Sequence, residues 1–193
     1  MSAGGHGRRG EMETRAMNRY VTEYQQKLAT AGEAVERCIH SGDTLVHGMA
    51  VAEPPALLAA LAEAVREGKR DGLKVYSMLS QAHAAQTILA PDLAASIESR
   101  SWFVSGLNRN LISVGLNDFV PNYFHQIPRL CREFMEIDCA VTTVSPMDKA
   151  GYFTFGVAND FTSAAVRCAK KVIVDVNQNM PRVFGDSLVH ISE

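Results

Sequence analysis

The sequence predicts an α/β domain, a largely parallel sheet flanked by helices. Three observations carry that expectation. Short apolar runs rich in β-branched residues (Thr44–Val46, Leu73–Leu79, Ile137–Val144, Val172–Val176) alternate with segments of helical spacing. Hydrophobic residues make up 47% of 193, enough for a real core in a chain that hides about 70% of its unfolded surface. Glycine and proline mark the joins between these segments, and no internal repeat interrupts the alternation.

Each element follows from its own residues. Tyr20–Ile39, rich in Glu and Gln, reads as helix and closes at the His40-Ser41-Gly42-Asp43 turn. Thr44–Val46 is a short strand running into a glycine loop. Pro54 and Pro55 suit a first helical turn, and Leu57, Leu58, Leu61 and Val65 then recur at helical spacing until Gly68. Leu73–Leu79 is strand-like, Asp92–Glu98 a short helix after Pro91, and Ser101–Val104 extended. Ile127, Leu130, Cys131, Phe134 and Met135 fall at i, i+3, i+4, i+7 and i+8, which predicts an amphipathic helix. Ile137–Val144 is a buried strand stopped by the Ser145-Pro146-Met147-Asp148 turn. Phe161–Lys171 is helical, and Val172–Val176 and Ser187–Ile191 are strands.

Composition narrows the function. Lys plus Arg total 19 against 21 Asp plus Glu, a net charge of -2, so there is no basic footprint for nucleic acid. No apolar run approaches the roughly 18 residues of a membrane span. Cys38, Cys131, Cys139 and Cys168 form no CxxC pair and read as free thiols of a reducing cytoplasm. Residues 1–16, rich in Gly and Arg, are expected to be a disordered leader or an expression remnant, with Met17 a second possible start. Residues 17–193 then form the domain. Ser187–Glu193 has strand chemistry with no tail after it, so further protein is expected beyond Glu193.

The usual catalytic signatures are missing: no GxGxxG, P-loop, GxSxG or HExxH, and no histidine pair of the zinc-helix type. No metal and no covalently bound cofactor is expected. In open α/β sheets, however, ligands sit outside the carboxyl ends of the strands. Four loops qualify. His47-Gly48-Met49-Ala50-Val51-Ala52-Glu53-Pro54 offers a close backbone approach at Gly48 and a helix start able to receive an anion. Asp118–Pro128 (DFVPNYFHQIP) combines Asn122, Tyr123, Phe124 and His125 with two shape-fixing prolines. Ser145–Phe153 reads as a turn feeding a hairpin, a structural role. Asn177–Ser187, polar and glycine-bearing, is ambiguous.

Together, the segments HGMAVAEPPALLAAL, DFVPNYFHQIPRL, IDCAVTTVSPMDKAGYFTFGV and AAVRCAKKVIVDVNQNMPRVFGDSLVHIS resemble the amino-terminal half of the acetyl-CoA hydrolase/transferase family. The branch they are most similar to is the 4-hydroxybutyrate CoA-transferase type, and the resemblance runs from Tyr20 to Glu193. It implies a NagB/RpiA/CoA-transferase-like domain that works with a second domain. It also implies ping-pong transfer of CoA from acyl-CoA to a short-chain carboxylate, through an attacking glutamate. Coenzyme A enters as substrate.

In the family that glutamate and the glycine-rich CoA-binding loop lie in the second half, so no catalytic residue is assigned to this chain, and alone it is expected to be inactive. Glu53 is a tempting substitute, but its place at a helix start is explained by the helix dipole. What this half is expected to contribute is a substrate pocket: backbone N–H groups around Gly48, Met49 and Ala50 for oxyanions, with Glu53 in the same loop, and a wall from Asn122, Phe124 and His125. A hydrolase half-enzyme and a stand-alone binding domain of the same fold stay open. An apolar face left bare without the second domain predicts a homo-oligomer.

Overall fold

The computed structural model describes residues 19–193; the leader proposed for residues 1–16 lies outside them. Six strands form one sheet in the order β4-β3-β2-β1-β5-β7, and every neighbouring pair is parallel. They are β1 (Thr44–His47), β2 (Leu73–Ser77), β3 (Ile97–Ser101), β4 (Asp118–Phe119), β5 (Cys139–Val144) and β7 (Lys171–Val176). Between the last two, β6 (Tyr152–Thr154) leaves to pair antiparallel with β8 (Leu188–His190). The predicted α/β class holds.

The helices are α1 (helical from residue 19 through 27), α2 (Ala31–Cys38), α3 (Pro55–Arg66), α4 (Gly106–Ser113), α5 (Ile127–Glu133) and α6 (Thr162–Cys168). Alternation of side chains along the strands separates two faces. Leu45, Val75, Cys139 and Val141 pack with α2 and α3 on one side. Val46 joins Ile127, Cys131, Phe161 and Ala165 of the α5/α6 side, together with Trp102. A third cluster, centred on Val144, Phe153, Phe155 and Val189, seats the small β6–β8 sheet.

Three expectations change. Tyr20–Ile39 is two helices, broken before Thr30, whose hydroxyl and backbone close a reciprocal capping box with Glu33. The helix expected at Asp92–Glu98 is a single 3-10 turn, Pro91–Leu93, followed by β3. Ile97, Ser99 and Ser101 are buried there and Glu98 is exposed, so the true period is two. Finally, α5 stops at Glu133, leaving Phe134 68% exposed rather than on the buried face. Helix α4 lies in a stretch that carried no sequence prediction, and strand β4 takes the first two residues of the Asp118–Pro128 segment expected to be a loop. Among the described residues, no helix is long and apolar enough to cross a membrane.

Candidate functional site

Because all six strands run the same way, the loops that follow them gather at one end of the sheet. Strand β1 is flanked by β2 on one side and β5 on the other, so the chain reverses its winding there. That makes the β1/β5 boundary the topological switch point, where doubly wound sheets open a crevice. The loop it exposes is His47–Glu53.

Gly48 belongs there because nothing larger fits. A Cβ on it would lie 2.6 Å from Thr142 Oγ1 and 2.7 Å from Ala52 O. Its N–H donates to Val141 O at 2.9 Å, continuing the β1–β5 ladder. This corrects the expectation of a donor at Gly48: that group is spent inside the sheet. Among the described residues no acceptor engages the N–H of Met49 or Ala50. Ala50 sits at φ 50, a left-handed conformation that a non-glycine residue holds at a cost of about 1–3 kcal/mol.

The loop after the neighbouring strand repeats the device. Leu79, two residues past β2, has φ 51, which is why β2 ends at Ser77 and not at Leu79. Glu53 bridges the two loops. Its side chain is 0% exposed, and Oε2 accepts the Gln81 N–H at 2.7 Å. Burial pushes the carboxyl up to about 7, with the Gln81 hydrogen bond opposing. The helix-dipole explanation for Glu53 therefore gives way, since its partner lies on another loop and desolvation dominates its charge.

Two histidines complete the cluster. His83 Nε2 stands 3.6 Å from Glu53 Oε1, and burial lowers its pKa. His47 is buried with Nδ1 2.8 Å from Gly48 O, and desolvation lowers its pKa to about 4, so the ring is neutral. His47, Leu79, Gln81 and His83 were not among the predicted site residues. The loop after β2 follows a strand as the other four do.

The second predicted loop lies at the same end of the sheet but three strands away, beyond β4. Asn122 Nδ2 donates to Val120 O at 2.7 Å and Trp102 O at 3.2 Å, holding the loop against the end of β3. Its Oδ1 is buried without a partner among the described residues. His125 is exposed and stacked on Tyr123 at 5.8 Å, and Phe124 is 49% exposed. Met49 and Val120 pack on one hydrophobic cluster, which ties the two loops together. Ser145–Phe153 is a turn leading into β6, held by Asp148 Oδ1, which accepts the N–H of Ala150 and Tyr152 at 2.9 and 2.8 Å. No group of three or more metal-ligating side chains occurs among the described residues.

Comparison with known proteins places this geometry. The chain is 39% identical over 178 residues to a succinyl-CoA:cyclohexane-1-carboxylate CoA transferase of Geobacter metallireducens, covering 92% of this chain and 39% of that one. It is 36% identical to the 4-hydroxybutyrate coenzyme A transferase of Clostridium kluyveri, over 88% of this chain and 39% of the relative. The crystal structure of RipA from Yersinia pestis superposes with a TM-score of 0.85 at 44% identity, over 90% of this chain and 42% of RipA. The chain thus spans about two fifths of the length of these relatives. Residues 12–193 match the acetyl-CoA hydrolase/transferase N-terminal domain, and the protein belongs to that family.

Proposed function

We propose that this chain is the N-terminal half of an acyl-CoA:carboxylate CoA-transferase of the 4-hydroxybutyrate/acetate type. Its substrates are an acyl-CoA and a short-chain carboxylate, and its partner is a second domain that carries the nucleophilic glutamate. The glutamate carboxylate attacks the thioester carbonyl, CoA leaves as thiolate, and an acyl-glutamyl anhydride forms. The thiolate then attacks the glutamyl carbonyl, releasing the first carboxylate and leaving a glutamyl-CoA thioester. The second carboxylate reverses these steps and departs as the new acyl-CoA.

The observation that carries this reading is the pair of uncommitted N–H groups at Met49 and Ala50, held at the switch point by a left-handed residue. Negative charge develops on the carbonyl oxygen in each addition, and fixed donors favour it there. Losing one such donor typically lowers the rate about 10²–10³-fold. Asn122, with an unpaired Oδ1, and His125 line the approach for the acyl or carboxylate group. Phe124 and Tyr123, exposed on this half, are surfaces for the second domain to cover, which would shield the anhydride from water.

The test is acyl-CoA–acetate exchange by the 193-residue chain alone and by the chain joined to a second domain of the family. Exchange only in the joined protein supports the reading. Exchange by the chain alone would overturn the assignment of the nucleophile to the other half, and CoA released to water instead of acetate would make the enzyme a hydrolase.

A further inference from the structure

We propose that Glu53 is a positioning residue: through the Gln81 N–H it clamps the loop after β1 to the loop after β2, and so sets where the Met49 and Ala50 donors point. The inference rests on the transferase reading for its purpose, and on geometry for the clamp itself.

Glu53 and Gln81 lie 28 residues apart, and their 2.7 Å bond joins the only two non-glycine left-handed residues among the described ones, Ala50 and Leu79. Strained residues of this kind persist where the surroundings over-determine them. Here the surroundings are visible. Glu53 N donates to Ala50 O at 3.2 Å, so the residue that carries the carboxyl also closes the turn around Ala50. Gln81 Nε2 donates to Leu79 O at 3.0 Å, so the residue that supplies the amide also fixes Leu79. One side chain therefore couples both turns.

A buried carboxyl is an expensive way to make a structural bond, and Glu53 carries a further mark of use. Oε1 has no hydrogen-bond partner among the described residues, and neither has His83 Nε2 facing it at 3.6 Å. The titratable groups around Glu53 are His83, on the 3-10 turn after β2, and beyond it His47 at the end of β1. The first turn of α3 contributes no acidic residue. An ionised carboxylate holds the Gln81 amide more strongly than a neutral acid does. Clamp strength is thus tied to the ionisation of one residue.

The test follows the Gln81 amide by ¹⁵N–¹H NMR across pH in this chain, with Glu53→Gln and Glu53→Asp beside the wild type. The expected result is a Gln81 amide that moves with a single ionisation in wild type and does not in Glu53→Gln. In Glu53→Asp, one methylene short of Gln81, the Ala50 and Leu79 couplings should lose their left-handed values while the far-UV spectrum stays native. Exchange by the protein with its second domain should then lose one inflection of its pH profile in Glu53→Gln. An amide blind to Glu53, unchanged couplings in Glu53→Asp, or an unaltered pH profile in Glu53→Gln would each overturn the proposal. Wild type without exchange would sink the transferase reading instead, and the amide and coupling measurements alone would decide the clamp.

Discussion

Gly48 passes so close to Thr142 that one added carbon would sit 2.6 Å from the threonine hydroxyl and almost as near the Ala52 backbone. The contact joins the switch-point loop to the neighbouring strand β5, so the loop's position depends on the absence of a side chain. Gly48→Ala is expected to cost about 1–3 kcal/mol, the range for overpacking a filled site. Adding Thr142→Ala should restore only part of that, because Ala52 O stays in place. Urea unfolding of the single and double variants measures both numbers; full recovery in the double variant would locate the whole clash at Thr142.

Thr30 carries a prediction and a lesson about legibility. Its hydroxyl accepts the Glu33 N–H at 3.3 Å while Glu33 Oε2 accepts the Thr30 N–H at 2.9 Å. Thr30→Ala should cost about 1 kcal/mol, read as a lowered unfolding midpoint, with Thr30→Ser close to wild type.

The Thr30-Ala31-Gly32-Glu33 pattern was present in the sequence, yet the polar stretch around it hid the break because both helices share one composition. The parallel core strands were legible because burial on both faces makes them continuous apolar runs. Strand β3 was not: Ile97, Ser99 and Ser101 face inward, and serine gives no hydrophobic signal. The Gly48 loop was legible from its glycine and its place after a strand. The Glu53–Gln81 contact was not, since no local pattern shows that two loops 28 residues apart will meet.

Asp148 organises the turn before β6 with one oxygen on two backbone amides, Ala150 and Tyr152, and the other on the Arg182 guanidinium at 2.5 Å. Asp148→Ala leaves two amides and a guanidinium without that acceptor and should cost about 2–3 kcal/mol. Asp148→Asn keeps an acceptor for the amides and should cost less than half as much. Arg182→Ala removes the partly exposed ion pair and an exposed 3.2 Å bond from Arg182 Nη1 to Tyr152 O, together worth about 0–1 kcal/mol. Chemical denaturation of the three variants checks this order, and an Arg182 effect as large as that of Asp148→Ala would refute it.

Thiol reactivity separates the four cysteines. Burial pushes Cys131 up to about 11 and Cys139 up to about 12, so neither supplies thiolate near neutrality, and both are enclosed. Cys38 and Cys168 are partly accessible. Brief alkylation of the native protein at pH 8 should add two labels, on Cys38 and Cys168, with four after denaturation. Mass spectrometry of tryptic peptides gives the sites, and early labelling of Cys139 would contradict its position in the sheet.

The buried His47 and Glu53 make opposite contributions to the pH dependence of stability. His47 is held neutral down to about pH 4 in the folded protein, against 6.5 when exposed. Between those values the unfolded state binds the extra proton, so this residue makes stability fall as pH falls. Glu53 runs the other way. Its folded value near 7 lies above the ordinary 4.5, so the folded state binds the extra proton between them, and stability falls as pH rises. Each slope is about 1.4 kcal/mol per pH unit, opposite in sign, and they overlap from pH 4.5 to 6.5. In that window the two contributions cancel. Glu53→Gln removes one of them, so relative to wild type its unfolding free energy should drop by about 1.4 kcal/mol for each unit of acidification through the window. His47→Asn should show the reverse slope, losing stability relative to wild type as pH rises. Urea titrations at half-unit steps measure both differences; parallel curves for wild type and Glu53→Gln would show that Glu53 ionises in the folded protein at its ordinary pH.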